Sequence, residues 1–119
     1  DDTGEYHKAT PPTLSVTRPP HLADLRQASV GDADTTYSIS MSAAKINGQS
    51  WNSATALTTF ALDDIVELSV SGSGAHPMHL HLNHMQVVGN CGDHEAGEYV
   101  DTVSAQSCTV RFKADIAGR

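Results

Sequence analysis

Along Tyr37-Ser38-Ile39-Ser40-Met41 a large apolar residue alternates with a small polar one, the period of a strand that buries one face. Comparable short stretches follow at Thr58 to Leu62, Ile65 to Val70, His79 to Val88, Tyr99 to Val103 and Cys108 to Lys113. Turn-forming residues separate them: Asn47-Gly48, Asp63-Asp64, Ser71-Gly72-Ser73-Gly74 and Gly89-Asn90. Short strands at intervals of roughly ten residues predict an all-β antiparallel sandwich over residues 37–119. No segment carries the 3.6-residue period of an amphipathic helix. Trp51, just past the Asn47-Gly48 turn, is expected to pack its indole against the sandwich core. Asp63-Asp64 reads as an exposed hairpin turn, and Met78 and Met85 as core packing.

Residues 1–36 lack sustained periodicity and contain Pro11-Pro12 and Pro19-Pro20. Proline fixes φ and removes an amide donor, so this stretch favours extended, polyproline-like backbone and reads as a connection between domains. Within it, Leu22-Ala23-Asp24-Leu25-Arg26 suits a short strand or a single helical turn.

The 119 residues are enough for one domain with one modest core. Fourteen acidic against seven basic residues give a formal charge of −7. A nucleic-acid binder needs Lys and Arg clustered against phosphates, and no such patch is present. The longest apolar runs span only a few residues, too short for a membrane-spanning helix. Ser71-Gly72-Ser73-Gly74 lacks the Lys-Ser/Thr and the following helix of a phosphate-binding loop, so it reads as a flexible strand connection.

The chemistry of the chain concentrates in His76-Pro77-Met78-His79-Leu80-His81. Five of seven histidines (His76, His79, His81, His84 and His94) fall within nineteen residues. On an extended strand alternate side chains share a face, so His79 and His81 project to one side, close enough to serve one metal centre or two adjacent ones. Leu80 and Leu82 then face a core. Pro77 belongs at the start or edge of the strand, leaving His76 aimed elsewhere. Neutral imidazole suits copper, zinc, iron or nickel, so the cluster implies a transition metal without naming it. His7 and His21 lie far from the cluster and read as unrelated to it. The acidic loop Asp93-His94-Glu95, with Glu98 beyond, fits either a solvated loop or a surface site for a metal or a cationic substrate.

The HPMHLH stretch resembles the first histidine motif in the last cupredoxin domain of multicopper oxidases, the family of laccases, bilirubin oxidases and ferroxidases. Ile46-Asn47-Gly48-Gln49-Ser50-Trp51 is similar to that family's INGxxW/F turn. Tyr99-Val100-Asp101-Thr102-Val103 and Val110-Arg111-Phe112-Lys113-Ala114-Asp115 are similar to its RDTV and RFxxDNPG strands. The resemblance covers residues 37–119 in the family's order. It implies a cupredoxin-like antiparallel Greek-key β-sandwich in which His76 is a ligand of the type 1 copper, His79 of the type 2 copper and His81 of the type 3 pair. The family's second motif, HCHxxxHxxxxM, would begin where this sequence ends at Gly118-Arg119, so the sandwich is expected to be incomplete and the chain alone inactive. The remaining ligands would come from other domains or chains of the same oxidase.

Cys91 and Cys108 lack the HCH context of a copper ligand and are not assigned to metal. Their spacing permits a disulfide closing a loop of about 17 residues, worth on the order of 3 kcal/mol. Two reduced, buried cysteines are the alternative. A disulfide would suit a secreted or extracellular protein.

Three functional readings follow. The first is a segment of a laccase-like oxidase that couples one-electron oxidation of a phenol or metal ion to reduction of oxygen to water. The second is a freestanding mononuclear copper or zinc protein in which His79 and His81, with His76 or His84, leave a position open to water or oxygen. The third is a structural module derived from such an oxidase. A sandwich without its final strand exposes an edge and invites aggregation or pairing with another chain, so the chain by itself is not expected to be a well-behaved monomer.

Overall fold

The computed structural model describes residues 23–74, 76–81 and 83–116. Residues 1–22, including both Pro-Pro pairs, His7 and His21, fall outside that range, as do Ala75, Leu82 and the last three positions.

Strand β1, Thr35–Ser42, keeps the alternation read from the sequence, with Tyr37, Ile39 and Met41 half-buried between exposed neighbours. Ala43, in the turn to β2 (Lys45–Ile46), takes a positive φ of 47°. Asn47-Gly48, at φ of 50° and 76°, then reverses the chain into β3 (Gln49–Ser50). Asn47 does more than turn. Its amide nitrogen donates to the Tyr37 hydroxyl and the Ser38 carbonyl, both at 3.1 Å, and its Oδ1 accepts from the Ser40 amide at 2.6 Å. The hairpin is thereby pinned to β1.

The other strands are β4 (Ile65–Ser71), β5 (Met78–His79), β6 (Met85–Gly89), β7 (Tyr99–Val100), β8 (Thr102–Val103) and β9 (Ser107–Lys113). Seven strands form one sheet in the order β3-β2-β1-β4-β9-β6-β7, and β5 pairs with β8 in a second. The architecture is the all-β, cupredoxin-like sandwich. One pairing departs from the antiparallel expectation: β1 and β4 run parallel, Thr35 opposite Val66 through Ser40 opposite Ser71. Parallel neighbours need a crossover rather than a tight turn. The β2–β3 hairpin and residues 51–64 provide it, which is also why Asp63-Asp64 is not a hairpin turn. Asp63 takes a φ of 70°, and the Asp63 amide and Asp64 carbonyl bond to Ala114, continuing the β4–β9 ladder.

Three further expectations change. Thr58 to Leu62 forms no strand; Phe60 reaches the core from irregular backbone, edge-on to Tyr37 and Phe112 at 6.2 and 5.7 Å. Trp51 is 86% exposed rather than packed in the core. It follows β3, the two-residue edge strand of the large sheet, and lines an open surface pocket with Ile46, Ala56 and Leu57 instead. His79 to Val88 and Tyr99 to Val103 each divide into two strands, because both stretches change sheets. The first leaves β5 for β6 across residues 80–84, and the second leaves β7 for β8 at Asp101.

The core fills the space between the sheets. Val66, Leu68 and Val70 of β4, Val110 and Phe112 of β9, and Met85 and Val87 of β6 meet Met78 and Val103 from the small sheet. Both methionines are core packing, as expected, and Leu80 packs half-buried against the cluster. The Cys91–Cys108 disulfide lies at its margin, both residues 2% exposed. Gly72, at φ of 79°, sits where a Cβ would collide with the Met41 carbonyl. Beside it Ser73, fully buried, donates to the Ala105 carbonyl at 2.6 Å. The Ser71 to Gly74 connection is therefore anchored at its centre.

The opposite face of the large sheet is polar. Glu67, Arg111 and Gln86 stand in one cross-strand row. Residues 23–31 lie against this row, including the single helical turn α1, Gln27–Val30. Arg111 donates to Glu67 at 3.0 Å and to the carbonyls of Leu25 and Gly31 at 3.1 and 2.9 Å. Gln86 accepts from the Leu25 amide at 2.6 Å and donates to Asp24 and the Gly97 carbonyl, each at 3.1 Å. The Tyr99 hydroxyl donates to the Ala23 carbonyl. Leu25 is buried beneath this strap. Hydrogen bonding to the Arg26 guanidinium holds the Asp24 carboxyl far below its usual range.

Candidate metal centre

Pro77 stands immediately before β5, where its missing amide costs no ladder bond. Two ladder pairs then fix the strand: Met78 opposite Val103, both buried, and His79 opposite Thr102. Burial of Met78 turns His79 outward by the two-residue alternation of a strand. After His79 the ladder ends, and His81 stands in the bend that carries the chain to the large sheet. The bend nevertheless leaves the His79 and His81 rings 4.9 Å apart between centroids, tilted by 57°.

Both rings are exposed, as are His76 and His84. His79 is held from one side: its Nδ1 lies 2.7 Å from the Asp101 carbonyl oxygen and 3.4 Å from the Thr102 hydroxyl. A carbonyl only accepts, so Nδ1 carries the proton. In the neutral ring the lone pair is then on Nε2, available to a metal. Asn83 adds an unusual feature, because its Oδ1 is buried without a hydrogen-bond partner.

Among the described residues no three His, Cys, Asp or Glu side chains converge to hold a metal ion. The chain thus brings two imidazoles together, and His76 is not grouped with them. Two exposed imidazole nitrogens are of the chemistry that suits copper or another borderline metal, but by themselves would leave its coordination open. Neither cysteine is available as a thiolate, since the chain's only two are joined to each other. The acidic loop is closed on itself. Glu98 accepts from the Glu95 amide at 2.7 Å and pairs with His94 at 3.0 Å, and the backbone of His94 bridges to Cys91.

Sequence reasoning did not find the support behind His79. The Asp101 contribution is a backbone carbonyl, which no side-chain motif announces, and Thr102 reads as an ordinary strand residue. The visible signal is indirect: Tyr99 to Val103 is too polar at Asp101 to run unbroken through a core. No helix of the described residues is long and apolar enough to cross a membrane.

Compared with known families, residues 17–119 match the model described as multicopper oxidase. No curated protein sequence matches the chain.

Proposed function

The chain belongs to the multicopper oxidase family of copper-dependent oxidoreductases, and from that premise we propose that it forms the last cupredoxin domain of a laccase-like enzyme. That enzyme would couple one-electron oxidation of a phenol or metal ion to reduction of oxygen to water. The observation that carries the reading is the His79–His81 ring pair on the exposed side of the small sheet, with Nε2 of His79 free to bind. In this reading His79 holds the type 2 copper, His81 one of the type 3 pair and His76 the type 1 copper. When bound, copper supplies the single-electron transfers between reductant and oxygen.

The chain's own residues supply ligands and their orientation. They do not enclose the site, because both rings face outward. Other domains of the same oxidase would therefore complete the coordination and exclude water. The bridged cysteines fit this division, since the type 1 centre needs a thiolate from elsewhere. Residues 1–36 would lead in from a preceding domain, and residues 37–119 would form the cupredoxin unit. The disulfide supports a secreted or extracellular setting.

Oxygen uptake with a phenolic donor, measured together with copper content on the oxidase isolated from its source, tests the reading. His79→Gln and His81→Gln should abolish uptake and lower copper content while leaving the blue band. His76→Gln should remove the blue band. Full uptake and copper content in both His79→Gln and His81→Gln would sink the assignment. If a single ion binds to these histidines and no oxygen is consumed, the mononuclear alternative takes its place.

A further inference from the structure

We propose that Asp101 and Thr102 are positioning residues that commit His79 to bind metal through Nε2 before any metal arrives. The inference rests on the reading of His79 as a ligand and adds which nitrogen binds and what selects it.

The argument starts in the core. Met78 and Val103 are buried opposite each other, so β5 and β8 cannot slide without exposing both. That register puts Thr102 opposite His79 and places Asp101 one residue before the ladder, at the point where the chain leaves the large sheet. At this kink the Asp101 carbonyl meets His79 Nδ1 at 2.7 Å, within the range of a strong hydrogen bond. The Thr102 hydroxyl at 3.4 Å is a weaker second contact with the same nitrogen. An accepting carbonyl permits one neutral tautomer only, the one protonated at Nδ1. The ring's other edge, bearing Nε2, is left as the ligand.

No hydrogen bond from a described residue holds the His81 ring. The two imidazoles are therefore unequal: His79 is preset in tautomer and angle, while His81 must still settle. Metal-ligating histidines held through their second nitrogen by a carbonyl lose affinity by roughly 10- to 100-fold when that support is removed.

Nitrogen-15 spectra of the full metal-free chain, taken at a pH where imidazole is neutral, test the proposal directly. His79 should appear protonated at Nδ1. Adding Zn²⁺ should shift Nε2 and leave the Nδ1 proton in place. Thr102→Gly, which loosens the kink and removes the hydroxyl, should mix the two tautomers and weaken Zn²⁺ binding by about 10-fold. An Nε2-protonated His79 in the unsubstituted chain, or Zn²⁺ bound at Nδ1, would overturn the proposal. These outcomes are separable from failure of the site itself, because His79→Gln with undiminished Zn²⁺ affinity would show that His79 is no ligand at all.

Discussion

The β4–β9 pair and the His76–His84 segment are opposites built a few residues apart. The pair runs in register for seven residues, from Ile65 opposite Lys113 to Ser71 opposite Ser107, and buries Val66, Leu68, Val110 and Phe112 almost completely. The histidine segment has two residues of ladder, leaves four histidines exposed and keeps a buried acceptor on Asn83 without a partner. Stability resides in the first region and the proposed chemistry in the second. They are joined where Met78 and Val103 enter the core.

Substitution in the β4–β9 pair should therefore give the largest loss. Leu68 is 2% exposed at the centre of β4. Leu68→Ala removes buried apolar atoms and leaves a cavity, costing about 2–5 kcal/mol. A urea transition of the variant against the parent checks this; a loss below about 1 kcal/mol would mean that the site can collapse.

Reduction of Cys91–Cys108 comes next. The bridge spans a sequence separation of 17, and releasing it should cost about 3 kcal/mol through the freed denatured chain. Melting with and without a reductant measures it. The two cysteines were legible as a candidate pair because their spacing suited a closed loop, although sequence alone left reduced thiols as an alternative.

The polar face gives a smaller effect. Gln86→Leu leaves the buried Leu25 amide without its acceptor and the Gly97 carbonyl without that donor, for about 1–3 kcal/mol. Hydrogen exchange at Leu25 should rise more than exchange within β4. If both rise equally, the strap is not a separate unit. This region was the least legible in the sequence. Gln86 and Arg111 fall between apolar neighbours and read as the solvent side of a strand. Their partners are backbone groups 61 and 86 positions away, which no local pattern encodes.

The strap also carries the acid dependence. Asp24 is depressed in the folded state, so its contribution is present above the ordinary carboxylate value of 3.8 and is lost only as pH falls below it. Arg26 and Asp24 are 46% and 27% exposed, and solvent screening keeps the contribution small. The stability difference between parent and Asp24→Asn should be level from neutral pH to about pH 5 and vanish in stronger acid. A difference that instead grew on acidification would contradict the pairing.

What the alternation pattern made readable is the face each strand buries, as in β1 and β9; it carries no information on the direction of a neighbour or on where a strand changes sheets. The parallel β1–β4 pairing and the division of both histidine-side strands escaped for that reason. Trp51 escaped for another: its size argues for burial, but it sits just past a two-residue edge strand and lines an open surface pocket rather than the space between the sheets. The HPMHLH stretch was legible because repeated imidazoles have no packing purpose, and its support was not, because a carbonyl has no letter of its own.

The smallest stability effects should fall on the two histidines proposed as ligands. His79 and His81 are exposed and neither packs in the core, so His81→Ala should change unfolding free energy by no more than about 0.5 kcal/mol, and His79→Ala, which also loses the hydrogen bond to the Asp101 carbonyl, by about 0.5–1.5 kcal/mol. Replacing either should nevertheless remove one of the two proposed nitrogen ligands and weaken Zn²⁺ binding to the metal-free chain. His79→Ala should weaken it more, because the Asp101 carbonyl has already fixed that ring whereas His81 must be ordered as it binds. Calorimetric titration of both variants, paired with their melts, places the two effects on one scale. Equal losses of affinity would mean the rings are equivalent. A large loss of stability in either would mean that the histidine segment belongs with the core after all.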